Sequence, residues 1–481
     1  MYEQEQNEQR MLSQEAGFMI SVNRLKRQII ENKFVKAEIT LLLALMLFNF
    51  IPGINQLIVD RLLSGLESNV LNIAGQIEWF DLINETLLAF LTIPLYFLFN
   101  EVAKDKEIFK SRIVQVFTIG FLLYLAAAIV VYLYAGSLSI YMNAPPESTL
   151  YLQMETIGFI AGFVSSFMYV VFVVRGNWKY IISLLIAKVV MLSIGNVFLI
   201  PDYGVLGLAT TNIMCNIILS AVSIFLLYKD GLLQTKISFE KKTLQTWARV
   251  GLFSGGQIFL DNLIYMLIVC KMVNAVSSAG VYWLANNFIW GWLLIPIAAF
   301  AEIVKRDYTR GYSRIYNYIL FVAGIAVLWL LSFPLWSVMF EDVIHAQEPQ
   351  VILDILYMLV PFYVAYALAT VFDGVLVSVG KTRYLFANSI LVNIGYYGIV
   401  YLLFLTGVFT ASIPFIVMMF GFGMFVHLIF SIVFFWDAKR KFGGQGKRYD
   451  NRKNIKTDVL RIRFSKHDMV MVLLKKEIKF L

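Results

Sequence analysis

The 481-residue sequence is poor in charge, in cysteine and in histidine. Only 15% of its residues are Asp, Glu, Lys or Arg, where an average soluble domain has about 25%. A water-soluble fold of this length needs a charged surface that this chain cannot supply. Two cysteines, Cys215 and Cys270, both inside apolar stretches, exclude a disulfide scaffold. Three histidines exclude a His-rich metal centre, and no nucleophile–base constellation argues for an enzyme. The first 38 residues carry six basic and six acidic side chains and no short apolar core with a small-residue cleavage site, so no cleavable signal peptide is expected.

What is abundant is apolar surface. Hydrophobic residues make up 59% of the chain and aromatics 15%, and the mean hydropathy is +0.72. A spanning helix needs about 20 mostly apolar residues. Twelve such stretches are legible, at 39–63, 79–99, 113–135, 150–174, 180–200, 204–228, 251–276, 281–304, 316–340, 351–380, 384–409 and 414–436. Strand-like alternation is absent, so helices are the spanning option. The expected fold is an all-α integral membrane protein.

Charge orients the bundle. Alternate connections hold Lys104, Lys106, Lys110 and Arg112, then Arg175 and Lys179, then Lys229, Lys236, Lys241 and Lys242, then Lys305, Arg306, Arg310 and Arg314, then Lys381 and Arg383. The intervening connections 136–149 and 341–349 hold neither Lys nor Arg. The positive-inside rule then puts both termini in the cytoplasm, in a bacterial-type inner membrane. The net charge of +8 is concentrated at one end: residues 437–481 carry 14 basic and 5 acidic side chains, which leaves the rest at −1. A nearly neutral body gives no reason to expect nucleic-acid binding, while the basic tail suits an anionic lipid surface.

The halves repeat. Gln56 and Asp60 recur as Gln257 and Asp261, Asn84 and Glu85 as Asn286 and Asn287, Pro94 as Pro296, Ser111 and Arg112 as Ser313 and Arg314, and Gly176 as Gly380. The offset drifts only from 201 to 204. Six spans per unit give a parallel repeat, the plan of many secondary transporters, with a cavity between two lobes. The expected organisation is an N-terminal segment (1–38), an N-lobe (39–228), a linker (229–250), a C-lobe (251–436) and a basic tail (437–481), in a monomer.

Charges inside spans are costly and mark candidate sites. These are Asp60, Arg61, Asp81, Glu85, Lys188, Asp261, Asp373 and His427. Asp261 and Asp373 stand at compatible depths on the seventh and tenth spans. Two neighbouring buried carboxylates hold a proton or a cation between them, which is what Na⁺ or H⁺ coupling requires. Lys188 needs an anionic partner, for which Glu85 and Asp60 are the candidates, or a cavity. Asp81 reads as an outer-interface residue, and His427 as a satisfied core histidine or a proton carrier. Gln56, Gln257, Asn286 and Asn287 are candidate cavity lining, and Trp283, Trp290 and Trp292 could serve flat amphiphiles. The run from Gly374 to Gly380 has five residues between its glycines, one too many for a phosphate loop.

The pattern Ile58-Val-Asp60 with Gly65, then residues 174–179 (Val-Arg-Gly-Asn-Trp-Lys), Asn196 and Tyr203-Gly-Val-Leu-Gly-Leu-Ala-Thr210, resembles the multidrug and toxic compound extrusion (MATE) family. Gly251, Asp261 and the run from Asp373 to Arg383 agree in the second half. The resemblance covers about residues 40–435, within a superfamily that includes flippases for lipid-linked oligosaccharides. It implies a cation-coupled antiporter exporting cationic or amphiphilic drugs by alternating access, with no cofactor beyond the coupling ion. It also implies Asp261 and Asp373 as cation-binding acids, with Na⁺ held there if sodium is the ion. Asp60, Asn196 and Thr210 would form an N-lobe site, together with Glu85 and Lys188 as its neighbouring charges. Ile200 stands where the family often has an acid, and Arg61 and Lys188 are unexpected charges for it.

Overall fold

A computed structural model describes residues 33–102, 105–233, 240–308, 315–378 and 381–450. The chain runs as α1 (Lys33–Ser64), α2 (Ser68–Ala74), α3 (Ile77–Val102), α4 (Lys106–Tyr141), α5 (Ser148–Arg175), α6 (Trp178–Tyr203) and α7 (Val205–Lys229). It continues as α8 (Lys241–Ile264), α9 (Lys271–Ala275), α10 (Ala279–Phe288), α11 (Ile295–Asp307) and α12 (Ile315–Val338). Last come α13 (Pro349–Ser378), α14 (Thr382–Ile390), α15 (Ile399–Leu405) and α16 (Ile413–Asp450). Short π-helical stretches, Tyr265–Cys270, Ile289–Leu293, Met339–Val343 and Leu391–Gly398, join or extend several of them. Among the described residues there is no strand.

Joined through those stretches, the helices make twelve rods that follow the twelve apolar runs. Ten helices are long and apolar enough to cross a membrane, and a pair bent by 47° at Leu294 makes an eleventh. The twelfth is α1, whose residues 39–56 contain no charge. The protein is an all-α integral membrane protein of twelve spans in two six-helix lobes. The eighth span, read as one helix, is broken. Pro296 has no N–H to donate back along the helix, and the chain passes from a π stretch into α11 at that point. Two expected boundaries shift. Residues 241–250, read as linker, begin α8, and residues 437–450, read as tail, continue α16. The expectations for residues 1–32 and 451–481 lie outside the described residues.

In the N-lobe, α5 packs along α7, α6 on α7 and α1, and α4 on α5. In the C-lobe, α13 packs along α16 and between α11 and α12. The lobes meet where α3 lies along α8 and where α1 crosses α11 and the π stretch before it. Two apolar helices gain little by meeting in lipid, so close backbone approach and polar contacts must hold such crossings. Gly251 and Gly255 of α8 supply the approach: a Cβ on Gly255 would stand 2.5 Å from the Phe90 ring, and one on Gly251 would stand 2.5 Å from the Phe90 carbonyl. Trp247 donates its indole N–H to the Leu91 carbonyl at 3.0 Å.

On the membrane face away from the basic loops, the lobes touch through backbone. A Cβ on Gly75 would stand 2.7 Å from the Ala279 carbonyl, and one on Gly280 would stand 2.7 Å from Leu71. The Gly280 N–H donates to Asn72 Oδ1 at 2.9 Å. Gln76 and Asn274 exchange amide hydrogen bonds at 3.0 and 2.9 Å, and Asn274 also donates to the Met142 carbonyl. One buried apolar core runs from Leu63 and Trp79 of the N-lobe into Phe288 and Phe340 of the C-lobe beneath this contact. A second core, around Phe167 and Phe172, belongs to the N-lobe and takes in Trp247 from α8. Lys271, on the same face, rests its ammonium 3.4 Å from the centre of the Tyr141 ring.

Candidate functional site

Asp261 sits one turn before the π stretch of the seventh span. Its Oδ1 accepts from Ser389 Oγ at 2.5 Å and from Asn393 Nδ2 at 2.6 Å, both on the eleventh span. Asn393 falls in the π stretch Leu391–Gly398, and such stretches are frequent at functional sites because they re-aim side chains. Asn393 also donates to Ser389 Oγ at 3.1 Å, so the three groups form one closed set.

Asp373 takes different partners. His427 Nε2 lies 2.8 Å from its Oδ2, and Ser431 Oγ donates to its Oδ1 at 2.8 Å. Asn388 donates to Ser431 Oγ at 2.9 Å and to the His427 carbonyl at 3.2 Å. The two acids have different hydrogen-bonded neighbours. Each has its own set, and the neighbours Asn388 and Ser389 of α14 tie the sets together. The reason is helical geometry: successive residues point about 100° apart, so α14 serves one carboxylate with each. His427, read from the sequence as a satisfied core histidine or a proton carrier, is bonded to the carboxylate itself.

The N-lobe residues separate. Asp60 is 4% exposed. It accepts from Gln56, one turn earlier, at 2.9 Å and from Asn287 of the other lobe at 3.0 Å. Glu85 accepts from Asn262, also of the other lobe, at 3.1 Å. Asn286 donates to both oxygens of Glu78 at 3.0 Å. Asn196, wholly buried, donates to Asn55 at 3.3 Å, while its Oδ1 has no hydrogen-bond partner. Thr210 closes on its own helix, donating to the Leu206 carbonyl. Asn196 and Thr210 therefore do not join Asp60, whose bonded partners are Gln56 and the far lobe. The side chain of Gln257 lies outside the described residues.

Asp81, read as an outer-interface residue, stands in the first turns of α3. Asn84 donates to it at 3.0 Å, and the Tyr124 hydroxyl donates on to Asn84 at 2.6 Å. Lys188 lies within electrostatic reach of Asp81, which adds a partner to the two expected for it. Two acids were missed by the sequence reading. Glu155, 2% exposed, accepts from Asn212 at 2.9 Å and from Tyr151. Glu78 faces Asn286. Both stand near span ends in the sequence, where a carboxylate ordinarily reaches water, so only the packing reveals that Glu155 is buried and that Glu78 faces the other lobe.

One pattern unites the seam. Three N-lobe carboxylates, Asp60, Glu78 and Glu85, each receive an asparagine from the C-lobe. Asp60–Asn287 joins the first span to the eighth, and Glu85–Asn262 joins the second to the seventh. Within one residue these are the same crossing made twice, with acid and amide exchanged between the repeats.

No family model matches the sequence, and no curated protein matches it. Solved structures do match in fold. The chain aligns with an inward-facing multidrug resistance MATE family transporter of the MOP superfamily at a TM-score of 0.65 and 16% identity, over 85% of this chain and 99% of the other. It aligns with VcmN, a MATE transporter of Vibrio cholerae, at 0.60 and 17%, over 84% and 97%. An outward-facing MATE family transporter aligns at 0.59 and 14%, over 85% and 96%. The chain thus has the twelve-helix, two-lobed fold of the MATE transporters of the MOP superfamily.

Proposed function

We propose that the protein is a secondary active transporter, an antiporter that exports cationic or amphiphilic drugs in exchange for Na⁺ or H⁺. The observation that carries this reading is the seam between the lobes, where the hydrogen-bonded charges are the carboxylates Asp60, Glu78 and Glu85. The donors to Asp60 and Glu78 are neutral amides, which hydrogen-bond their oxygens and supply no countercharge. A cation entering the seam gains what the amides do not supply.

Coupling belongs to the C-lobe pair. Asp261, Ser389 and Asn393 offer hard oxygen atoms to a sodium ion. Asp373 with His427 offers a carboxylate and an imidazole to a proton. The two sets meet at Asn388 and Ser389, so occupancy of one is felt by the other through a single helix. Filling the C-lobe site favours one lobe arrangement and substrate the other, which gives exchange. The Gly75–Gly280 and Gln76–Asn274 contacts close the face away from the basic loops. The better fit to an inward-facing relative (0.65 against 0.59) supports an inward-facing arrangement.

A flippase for a lipid-linked saccharide is the alternative. Its support is Arg61 and Lys188, which could meet a pyrophosphate, but the acids of the seam oppose an anionic cargo. Transport in proteoliposomes under imposed Na⁺ or pH gradients decides, with a cationic dye and a lipid-linked sugar as cargo. Gradient-driven dye movement is expected. Sugar movement without dye movement overturns the proposal.

A further inference from the structure

The seventh span is fastened to both lobes at successive residues. Asp261 accepts from Ser389 and Asn393 of the eleventh span, inside its own lobe. Asn262 turns away from that set, since neighbours on a helix point about 100° apart. Its Nδ2 meets three acceptors on the second span, in the N-lobe: the Leu82 carbonyl at 3.2 Å, Glu85 Oε2 at 3.1 Å and Thr86 Oγ1 at 3.2 Å. An amide nitrogen carries two hydrogens, so at least one of them is shared among these acceptors.

The two sides of this point differ. Toward the basic loops, α8 is pinned to the N-lobe by Trp247 on the Leu91 carbonyl and by the close approach of Gly251 and Gly255 to Phe90. Beyond Asn262 the regular helix ends and the π stretch Tyr265–Cys270 begins, an irregularity that is frequent where helices do work. Filling the Asp261 set disturbs it. Ser389 and Asn393 both aim hydrogens at the carboxylate. A hard cation takes their oxygens instead, and a proton on Asp261 turns an acceptor into a donor. Either change breaks the closed set and shifts Asp261 against the eleventh span. Asn262, one residue away on the same helix, moves with it.

We propose that Asn262 transmits occupancy of the Asp261 set to the placement of the lobes, with Leu82, Glu85 and Thr86 as its receiving contact. Asn262 acts as a positioning residue and touches no ion. Hydrogen bonds weaken steeply with misalignment, so a small shift of the amide is felt across the seam. Loss of a hydrogen bond to a charged acceptor biases a two-state equilibrium about tenfold. The repeat places the exposed Arg61 where the C-lobe has this amide. The proposal rests on the reading of Asp261 as a coupling acid.

The test uses the full-length protein in nanodiscs, with spin labels at Glu147→Cys in the N-lobe and Asp342→Cys in the C-lobe, and with Cys215 and Cys270 replaced by alanine. Both labelled positions are exposed and lie in connections without Lys or Arg. Distances between the labels are read by double electron–electron resonance with and without Na⁺, and at neutral and acid pH. Occupancy is read separately, as the rise of the melting midpoint with Na⁺ or as proton uptake by an indicator dye. The parent is expected to change its distance distribution with one of the two ions. Asn262→Ala should keep the occupancy signal and lose the distance change. Glu85→Ala, which removes the receiving carboxylate, should do the same. Asn286→Ala takes an amide from the same seam, on a span without a coupling acid, and should keep the distance change. A change in Asn262→Ala and Glu85→Ala as large as the parent's, or an equal loss in Asn286→Ala, overturns the transmission and leaves the coupling role of Asp261 standing. A parent that responds to neither ion, or a response that survives Asp261→Asn, overturns that coupling role and the proposal with it.

Discussion

At the scale of single residues, the C-lobe acids carry the clearest expectation. Asp373 holds His427 and Ser431, one on each oxygen. Asp373→Asn keeps the shape and one acceptor but removes the charge. Coupled efflux should be abolished, with the melting temperature within a few degrees of the parent. Normal gradient-driven transport by that variant would refute the coupling role. Asn393→Ala removes a donor from Asp261 without touching its charge. Transport should persist with a lowered apparent affinity for the coupling ion, read from its concentration dependence. Glu155 gives a stability prediction. Its donor Asn212 lies on α7, so Asn212→Leu removes one of the two donors to a buried carboxylate and should cost about 1–2 kcal/mol, seen as a lower midpoint in thermal unfolding.

At the scale of elements, the sequence made the spans plain and their irregularities obscure. A run of 20 apolar residues has one reading in a bilayer. The break at Leu294 and the π stretch Leu391–Gly398 leave a weaker trace, because hydropathy does not sense which carbonyl a given N–H meets. Pro296 was the visible signal for the first. Gly251 was visible as part of a family-like pattern, and its physical reason is the approach of α8 to the Phe90 carbonyl. The same logic governs α2 and α10, whose backbones touch at Gly75 and Gly280. Gly75→Val places branched carbon against the Ala279 carbonyl and should wedge the lobes apart on that face. Distances between spin labels on the two lobes, measured by double electron–electron resonance, should lengthen there. An unchanged distance distribution would show that the crossing is not a gate.

At the scale of the molecule, the repeat visible as weak matches at offsets of 201–204 becomes a pair of equivalent crossings, but the equivalence is incomplete. Asp60 and Asp261 correspond in sequence, yet Asp60 accepts a hydrogen bond from the other lobe and Asp261 accepts from Ser389 and Asn393 of its own. Replacing Gln76 and Asn274 together with alanine should loosen the closed face and shift the population toward the opposite opening, visible as faster labelling of cysteines introduced beside them.

The sequence by itself determined the solvent and the helix count. These follow from composition and period, since a bilayer allows one backbone solution to an uncharged run of about 20 residues. Only the tertiary structure decided which side chains meet. It gave Asp261 and Asp373 their different hydrogen-bond donors, brought Asp60, Glu78 and Glu85 to the asparagines of the other lobe, and buried Glu155. Hydrogen bonds reach about 3 Å, and the residues they join here stand up to 281 positions apart. Spacing along the chain carries no record of such distances, because helix packing alone sets them.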